Sequence, residues 1–229
     1  MLPFTSLTED KLLSVIANRL FVFDMDGTLL IGTTACIEIA KAAGTLDRLH
    51  MLERQFADSK IDAFCFAQQI GALWGVIDEQ LVRAAFEATP KLDNIKAVTA
   101  MIRRGGGTSG LITMSPDFYA NLFYEYGFDF IGASQFPRGP LEEVQREKIL
   151  NPKDKAMLVR GWCSRLGFEL NQCVAFGDSM SDYLLFQELE HTVSINGDAR
   201  LRDLARYHYE GSDLHDAFIA VCGALRTHS

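Results

Sequence analysis

Carboxylates that follow two short apolar runs are the clearest candidates for chemistry in this sequence. One run is Leu20–Phe23 and the other is Val174–Phe176, and both are typical of buried strands. A glycine stands beside each acidic pair and permits a sharp turn. Ligands bind at the carboxyl ends of strands in open α/β sheets. The acidic residues are Asp24 and Asp26 after the first run, and Asp178 and Asp182 after the second.

Four acids at one edge of a sheet would repel one another, and their pKa values would rise. A hard cation between them removes this repulsion, and oxygen ligands suit Mg²⁺, which keeps several waters and takes one or two carboxylates. The pattern therefore predicts a Mg²⁺ site. Taken alone, the segment around Asp24 also fits an Asp-rich turn that caps a helix.

The elements around these acids predict an α/β fold. Residues 33–90 show helical periodicity with no strand between them, and beyond Pro90 short apolar strands alternate with helices. That alternation indicates βαβ units and a parallel sheet with helices on both faces. We expect a Rossmann-like core formed by residues 1–32 and 91–229, and an inserted α-helical cap subdomain formed by residues 33–90.

Composition excludes several classes of protein. The chain has 229 residues and a formal net charge of −8. Proteins that bind along the phosphate backbone of a nucleic acid are usually basic. No apolar run reaches the 18 or so residues of a membrane helix. Five scattered cysteines without a C-x-x-C pair are typical of reduced thiols. We expect a cytoplasmic protein with no nucleic-acid or membrane partner.

The segment D-x-D-G-T-L-L from Asp24 and the segment G-D-x-x-x-D from Gly177 resemble the first and fourth motifs of the haloacid dehalogenase (HAD) superfamily. The helical insertion is similar to that of the phosphoserine-phosphatase-type branch. The resemblance covers nearly the whole chain. It implies a Mg²⁺-dependent phosphatase that hydrolyses a small-molecule phosphate monoester through an aspartyl-phosphate. Dehalogenation is disfavoured, because dehalogenases of this superfamily lack an equivalent of Asp26.

The resemblance also implies a role for each residue. Asp24 would be the nucleophile, and Asp26 would protonate the leaving oxygen and then activate water. The Asp24 side chain, the Asp26 backbone carbonyl and Asp178 would hold Mg²⁺. Asp182 would orient that metal site from behind the metal's own ligands or through water. Lys155 would pair with Asp24 and a phosphoryl oxygen, and Lys153 is the second candidate for this lysine.

The second motif of the family is a Thr or Ser at the end of a strand, and Thr113 and Ser115 both qualify. Its hydroxyl should bind a phosphoryl oxygen with help from the next backbone N–H. We prefer Thr113, because Met114 follows it and offers an N–H, whereas Pro116 after Ser115 has none. Gly27 completes the expected phosphate-binding residues.

The insertion departs from phosphoserine phosphatases. That branch carries a glutamate near the position of Thr33 and a cap arginine near Gln68 and Gln69. Without that charged pair, phosphoserine is a doubtful substrate. Aromatic residues such as Phe64 and Trp74 either form the cap core or face the cleft and favour a less polar substrate. The cap residues expected near the substrate are Thr33, Phe64, Gln69 and Trp74.

Two alternatives to a phosphatase share this scaffold. In a phosphotransferase or mutase, an alcohol replaces water as the acceptor of the phosphoryl group. A catalytically inactive binding protein would keep the fold without turnover, although the presence of all four acids argues against it.

Overall fold

Six parallel strands form one sheet, in the order β3-β2-β1-β4-β5-β6. The computed structural model describes residues 8–226. β1 and β4 lie at the centre of this sheet, and every residue of both strands is buried. The strands are β1 (Leu20–Phe23), β2 (Thr108–Pro116), β3 (Phe130–Ser134), β4 (Cys173–Gly177), β5 (His191–Ile195) and β6 (Tyr207–Tyr209).

Helices cover both faces of the sheet, which confirms the predicted α/β architecture. Successive residues of β1 point to opposite faces: Phe21 contacts Phe218 of α11 on one face, with 5.1 Å between ring centroids, and Leu20 packs in the cluster of Trp162 on the other. The helices are α1 (Glu9–Ile16), α2 (Ala35–Ala42), α3 (Leu46–Ala57), α4 (Ala63–Trp74), α5 (Glu79–Ala88), α6 (Ile95–Arg104), α7 (Asp117–Ala120), α8 (Pro152–Leu166), α9 (Tyr183–Glu188), α10 (Ala199–Leu204) and α11 (Leu214–Arg226).

Helices α2 to α5 form the predicted helical block between β1 and β2. Polar side chains begin three of them: Thr34, Asp62 and Asp78 each accept a hydrogen bond from an amide of the first turn, at 3.2, 2.8 and 2.7 Å. Such bonds satisfy amides that have no partner inside the helix. Asp78 thus caps the start of α5.

Two elements extend further than the sequence pattern indicates. β2, which contains both Thr113 and Ser115, continues to Pro116, with a shift in its pairing to β3 between Ile112 and Pro116. The sequence pattern predicts that Lys155 opens its helix, but α8 begins at Pro152, because Asn151 and Asp154 form a reciprocal capping box at its start. Lys155 thus lies one turn inside α8.

The segment 135–151 joins β3 to α8 and is irregular apart from one turn of 3₁₀-helix at Arg146–Lys148. Its contacts with the helical block include the pair of Arg146 with Asp62 at 2.6 Å and the hydrogen bond from the amide of Ile77 to the carbonyl of Arg138 at 2.8 Å. No helix among residues 8–226 combines the length and the apolar character needed to cross a bilayer.

Candidate active site

Three carboxylates meet at the carboxyl ends of β1 and β4. Asp24, Asp178 and Asp182 each place an oxygen within 4.8 Å of the others. The strand register explains this meeting, since Phe23 lies beside Phe176 and the amide of Asp24 donates to the carbonyl of Phe176 at 2.9 Å. The two acidic segments are therefore neighbours in space, although about 150 residues of chain separate them.

Gly27 allows the two segments to approach. Its backbone lies in the left-handed region, with φ of +77°, and a Cβ there would collide with Oδ2 of Asp178. Both the conformation and the space therefore favour glycine. At Gly177 a Cβ would collide with Oδ2 of Asp182 in the same way.

Lys155 neutralises part of the acidic charge of the cluster. Its side chain is almost fully buried, and Nζ donates to Asp24 Oδ1 at 2.6 Å and to Asp182 Oδ1 at 2.7 Å. A third bond goes to Ser181 Oγ at 3.1 Å. Burial alone would lower the pKa of Lys155, but the charges of Asp182 and Asp24 outweigh burial and raise it above its ordinary value. The ammonium is therefore charged.

One oxygen of the cluster has no partner. Oδ1 of Asp178 is buried and accepts no hydrogen bond from any residue in the range 8–226. Burial, followed by the charge of Asp182, raises the pKa of Asp178 to about 7. The pKa of Asp24 is raised well above its ordinary value for the same two reasons, with Lys155 opposing them. An unpartnered buried carboxylate oxygen beside two other acids fits a hard cation such as Mg²⁺.

Asp26 lies beside the cluster and connects it to the helical block. Its Oδ1 accepts from the amide of Ala35, the first residue of α2, at 2.7 Å, and its Oδ2 accepts from the hydroxyl of Ser115. Burial raises the pKa of the Asp26 carboxyl, and these hydrogen bonds oppose the effect. A raised pKa suits a carboxyl group that donates a proton near neutral pH.

A cleft of about 430 Å³ opens above Asp24. Thr113 and Met114 line it, whereas Ser115 does not, because its hydroxyl turns toward Asp26. The Thr113 hydroxyl accepts from the amide of Ser115 at 3.1 Å. Most of the predicted site residues share this cleft: Asp24, Asp26, Gly27, Thr33, Thr113, Met114, Lys155 and Asp178.

The other predicted cap residues lie elsewhere. The guanidinium of Arg146 lies over the ring of Phe64, with 4.2 Å between its central carbon and the ring centroid. Gln69 is exposed. Trp74 is buried against Phe118 and Phe136. In this structure Phe64, Gln69 and Trp74 do not line the cleft above Asp24.

Several lining residues were missed by the sequence reasoning. They come from the segment after β4 and from the start of the helical block, and they are Gly32, Thr34, Ile37, Ser179 and Ser181. The two serines lie inside the G-D-x-x-x-D segment, so their positions could have been found. Nothing in the sequence distinguishes the side of α2 that carries Ile37 as the one facing the cleft.

Comparison with known proteins identifies the family. The model of haloacid dehalogenase-like hydrolases matches residues 21–187, a range that includes the four aspartates and Lys155. The chain belongs to this family. The predicted superfamily is therefore confirmed, and with it the assignment of the chain as a HAD-type hydrolase.

Relatives extend the comparison to the phosphoserine-phosphatase branch. A phosphoserine phosphatase of Archaeoglobus fulgidus is 22% identical over 230 residues, which cover 99% of this chain and 63% of that protein. Phosphoserine phosphatase SerB1 of Mycobacterium tuberculosis is 40% identical over 73 residues, 32% of this chain and 23% of its own length. The chain thus spans less than two thirds of the length of these curated relatives.

Solved structures show the same fold. A structure described as a phospho-aspartyl intermediate analogue of phosphoserine phosphatase is 18% identical, covers 87% of this chain and 97% of its own chain, and has a TM-score of 0.70. A HAD family hydrolase from Salmonella enterica is 15% identical, covers 90% and 71% of the two chains, and has a TM-score of 0.77. The HAD fold of the phosphoserine-phosphatase type is confirmed.

Proposed function

We propose that the protein is a Mg²⁺-dependent phosphatase that hydrolyses a small-molecule phosphate monoester through a phosphorylated Asp24. The observation that carries this proposal is the arrangement around Asp24 at the floor of an open cleft. Its buried carboxylate pairs with Lys155 and lies next to an Asp178 oxygen that has no hydrogen-bond partner among residues 8–226. This arrangement suits a nucleophile that needs cations to approach an anionic phosphoryl group.

Three groups would hold the metal: the Asp24 carboxylate, the Asp26 backbone carbonyl and the Asp178 carboxylate. Bound Mg²⁺ would supply positive charge that offsets the repulsion between Asp24 and the phosphate. Asp182 has a different part. Its Oδ1 accepts from Lys155 and its Oδ2 from the amide of Asp178, at 2.7 and 3.2 Å, so it holds both groups in place.

The first step forms a bond between an Asp24 oxygen and phosphorus and breaks the bond between phosphorus and the leaving alcohol oxygen. Asp26, whose protonated form is favoured because burial raises its pKa, gives a proton to that oxygen. In the second step Asp26 takes a proton from water, the water oxygen attacks phosphorus, and the bond to Asp24 breaks. Inorganic phosphate leaves, and both aspartates return to their starting states.

Groups that line the cleft would position the phosphoryl group. We assign the Thr113 hydroxyl, the amide of Met114 and the backbone at Gly27 to its oxygens, with Lys155 as the nearby positive charge. Their place in the cleft supports this assignment. Ser115 holds Asp26 instead, since its hydroxyl donates to that carboxylate.

We further propose that residues 33–90 act as a cap over a core formed by residues 1–32 and 91–229. The bond from the amide of Ala35 to Asp26 supports this role, because it ties the first turn of the cap to the proposed acid. A cap that excludes water from the cleft would favour transfer to Asp24 over side reactions.

An assay with p-nitrophenyl phosphate tests the proposal. We expect phosphate release that requires Mg²⁺, stops on chelation and is lost in Asp24→Asn, whose circular dichroism matches that of wild type. Absence of metal-dependent release from any phosphate ester would contradict the enzyme assignment. Adding ethanol or glycerol distinguishes transfer from hydrolysis, because a phosphotransferase would form the new ester in place of inorganic phosphate.

A further inference from the structure

A second cavity joins the cleft of Asp24 at the proposed acid. Asp26, Thr34 and Met114 line both spaces. The second cavity has a volume of about 200 Å³ and lies between the cap and the core. Its lining is mainly apolar: Cys36, Phe56, Ala63, Phe66, Phe136 and Ile149.

The cap and the core build this space together. Phe56 of α3 and Phe66 of α4 form an aromatic pair on the cap side, with ring centroids 5.2 Å apart. Phe136 and Ile149 belong to the irregular segment 135–151 of the core, and both are buried. An apolar cavity at the meeting of two units, next to a few polar groups, is typical of a small-molecule site.

No positively charged side chain lines the cavity among the residues that the structure describes: lysine, arginine and histidine are absent from its lining, and its carboxyl groups are those of Asp26 and Glu53. Burial raises the pKa of the Cys36 thiol well above its ordinary value, so that group is neutral. A carboxylate placed here would lose water without gaining a cationic partner, which is unfavourable.

We propose that this cavity binds the leaving alcohol of the substrate, and that this alcohol is apolar and carries no negative charge. The inference rests on the proposed function, because Asp26, the proposed acid, lines both spaces. The phosphoryl group then occupies the cleft of Asp24, and the carbon skeleton extends past Met114 toward Phe66. An apolar cavity of about 150 Å³ accommodates a benzene ring, so this one takes a benzyl or pentyl group.

A series of alkyl phosphates tests the assignment. We expect kcat/KM to rise from methyl to n-propyl to n-pentyl phosphate by about fourfold for each CH₂ group that is buried. L-Phosphoserine has the same three-carbon chain as n-propyl phosphate but adds a carboxylate and an ammonium. We expect it to be at least tenfold poorer than n-propyl phosphate. A kcat/KM that does not change with chain length, or a higher kcat/KM for phosphoserine than for n-propyl phosphate, would overturn the proposal.

Binding measurements distinguish a failure of this proposal from a failure of the proposed function. Calorimetry of Asp24→Asn with Mg²⁺ should give tighter binding of n-pentyl than of methyl phosphate, again by about fourfold for each CH₂ group. If that gradient appears while wild type hydrolyses no ester, the phosphatase proposal fails and the apolar subsite stands. If wild type hydrolyses esters but neither kcat/KM nor Kd depends on chain length, the subsite fails alone.

Filling the cavity gives a matched pair of variants. Ala63 lines the cavity, whereas Ala57 at the end of α3 is exposed on the same cap. We expect Ala63→Leu to lower the preference for n-pentyl over methyl phosphate by about tenfold, and Ala57→Leu to leave it unchanged. Equal preferences in Ala63→Leu and wild type, with both variants folded by circular dichroism, would place the alkyl group elsewhere.

Discussion

Replacement of Lys155 by methionine is the sharpest perturbation of the buried charges. The lysine is 1% exposed and donates to Asp24 and Asp182, at 2.6 and 2.7 Å. Removing one partner of a buried ion pair costs about 3–5 kcal/mol, because the remaining charge has lost its compensation. In a protein of this size we expect Tm to fall by about 6–20 °C. Loss of the positioned cation should also lower kcat by about 10²–10³-fold.

Lys153→Met is the matched control, because Lys153 lies two residues earlier in α8 and is exposed. Urea unfolding, monitored by circular dichroism, gives the free energy of unfolding, and phosphate release with saturating Mg²⁺ gives kcat. The control should stay within about 0.5 kcal/mol of wild type. If Lys155→Met lost less than about 1 kcal/mol and less than tenfold in kcat, or if the control lost as much, the assigned role of Lys155 would be refuted.

Three further outcomes follow from the site. Burial raises the pKa of Asp178 to about 7, and only the ionised carboxylate binds metal. The apparent Mg²⁺ affinity measured by calorimetry should therefore fall about tenfold between pH 8 and pH 6; a constant affinity would contradict the metal role of Asp178. Thr113→Ala should lower kcat/KM for p-nitrophenyl phosphate more than Ser115→Ala, and the reverse order would move phosphate binding to Ser115. Gly27→Ala should weaken Mg²⁺ binding, because its Cβ would displace Asp178; unchanged affinity would argue against that contact.

The central part of the site could be predicted from the sequence because it depends on local patterns. Asp24 and Asp178 each follow a short apolar strand, and parallel strands place their carboxyl ends at one edge of the sheet. The start of α8 also has a sequence signal, since Asn151 and Asp154 have the spacing of a capping box.

The contacts of the cap could not be read in the same way. Helical periodicity shows that Phe64 and Trp74 have apolar neighbours, but it does not say which ones. In the structure Arg146 lies over Phe64 and Phe136 packs against Trp74, and both partners come from a segment some 60 to 80 residues further along the chain. Only the tertiary packing determines which cap residues face the cleft.

The shift in β2 pairing had no sequence signal either. The pairing with β3 changes between Ile112 and Pro116, and the hydroxyls of Thr113 and Ser115 end in different surroundings, one in the cleft and one on Asp26. Alternation along a regular strand would have placed both side chains on the same face. The order of residues alone therefore left both candidates open.

Trapping the phosphoryl group on the protein tests the central claim most directly. Wild type mixed with ³²P-labelled phosphate ester and Mg²⁺, and quenched in acid during turnover, should carry a label that hydroxylamine removes and that mass spectrometry locates on Asp24. Asp24→Asn, treated in the same way, should carry none. If wild type hydrolyses the ester but carries no label, or carries the label on another residue, the assignment of Asp24 as the group that accepts phosphate would be contradicted.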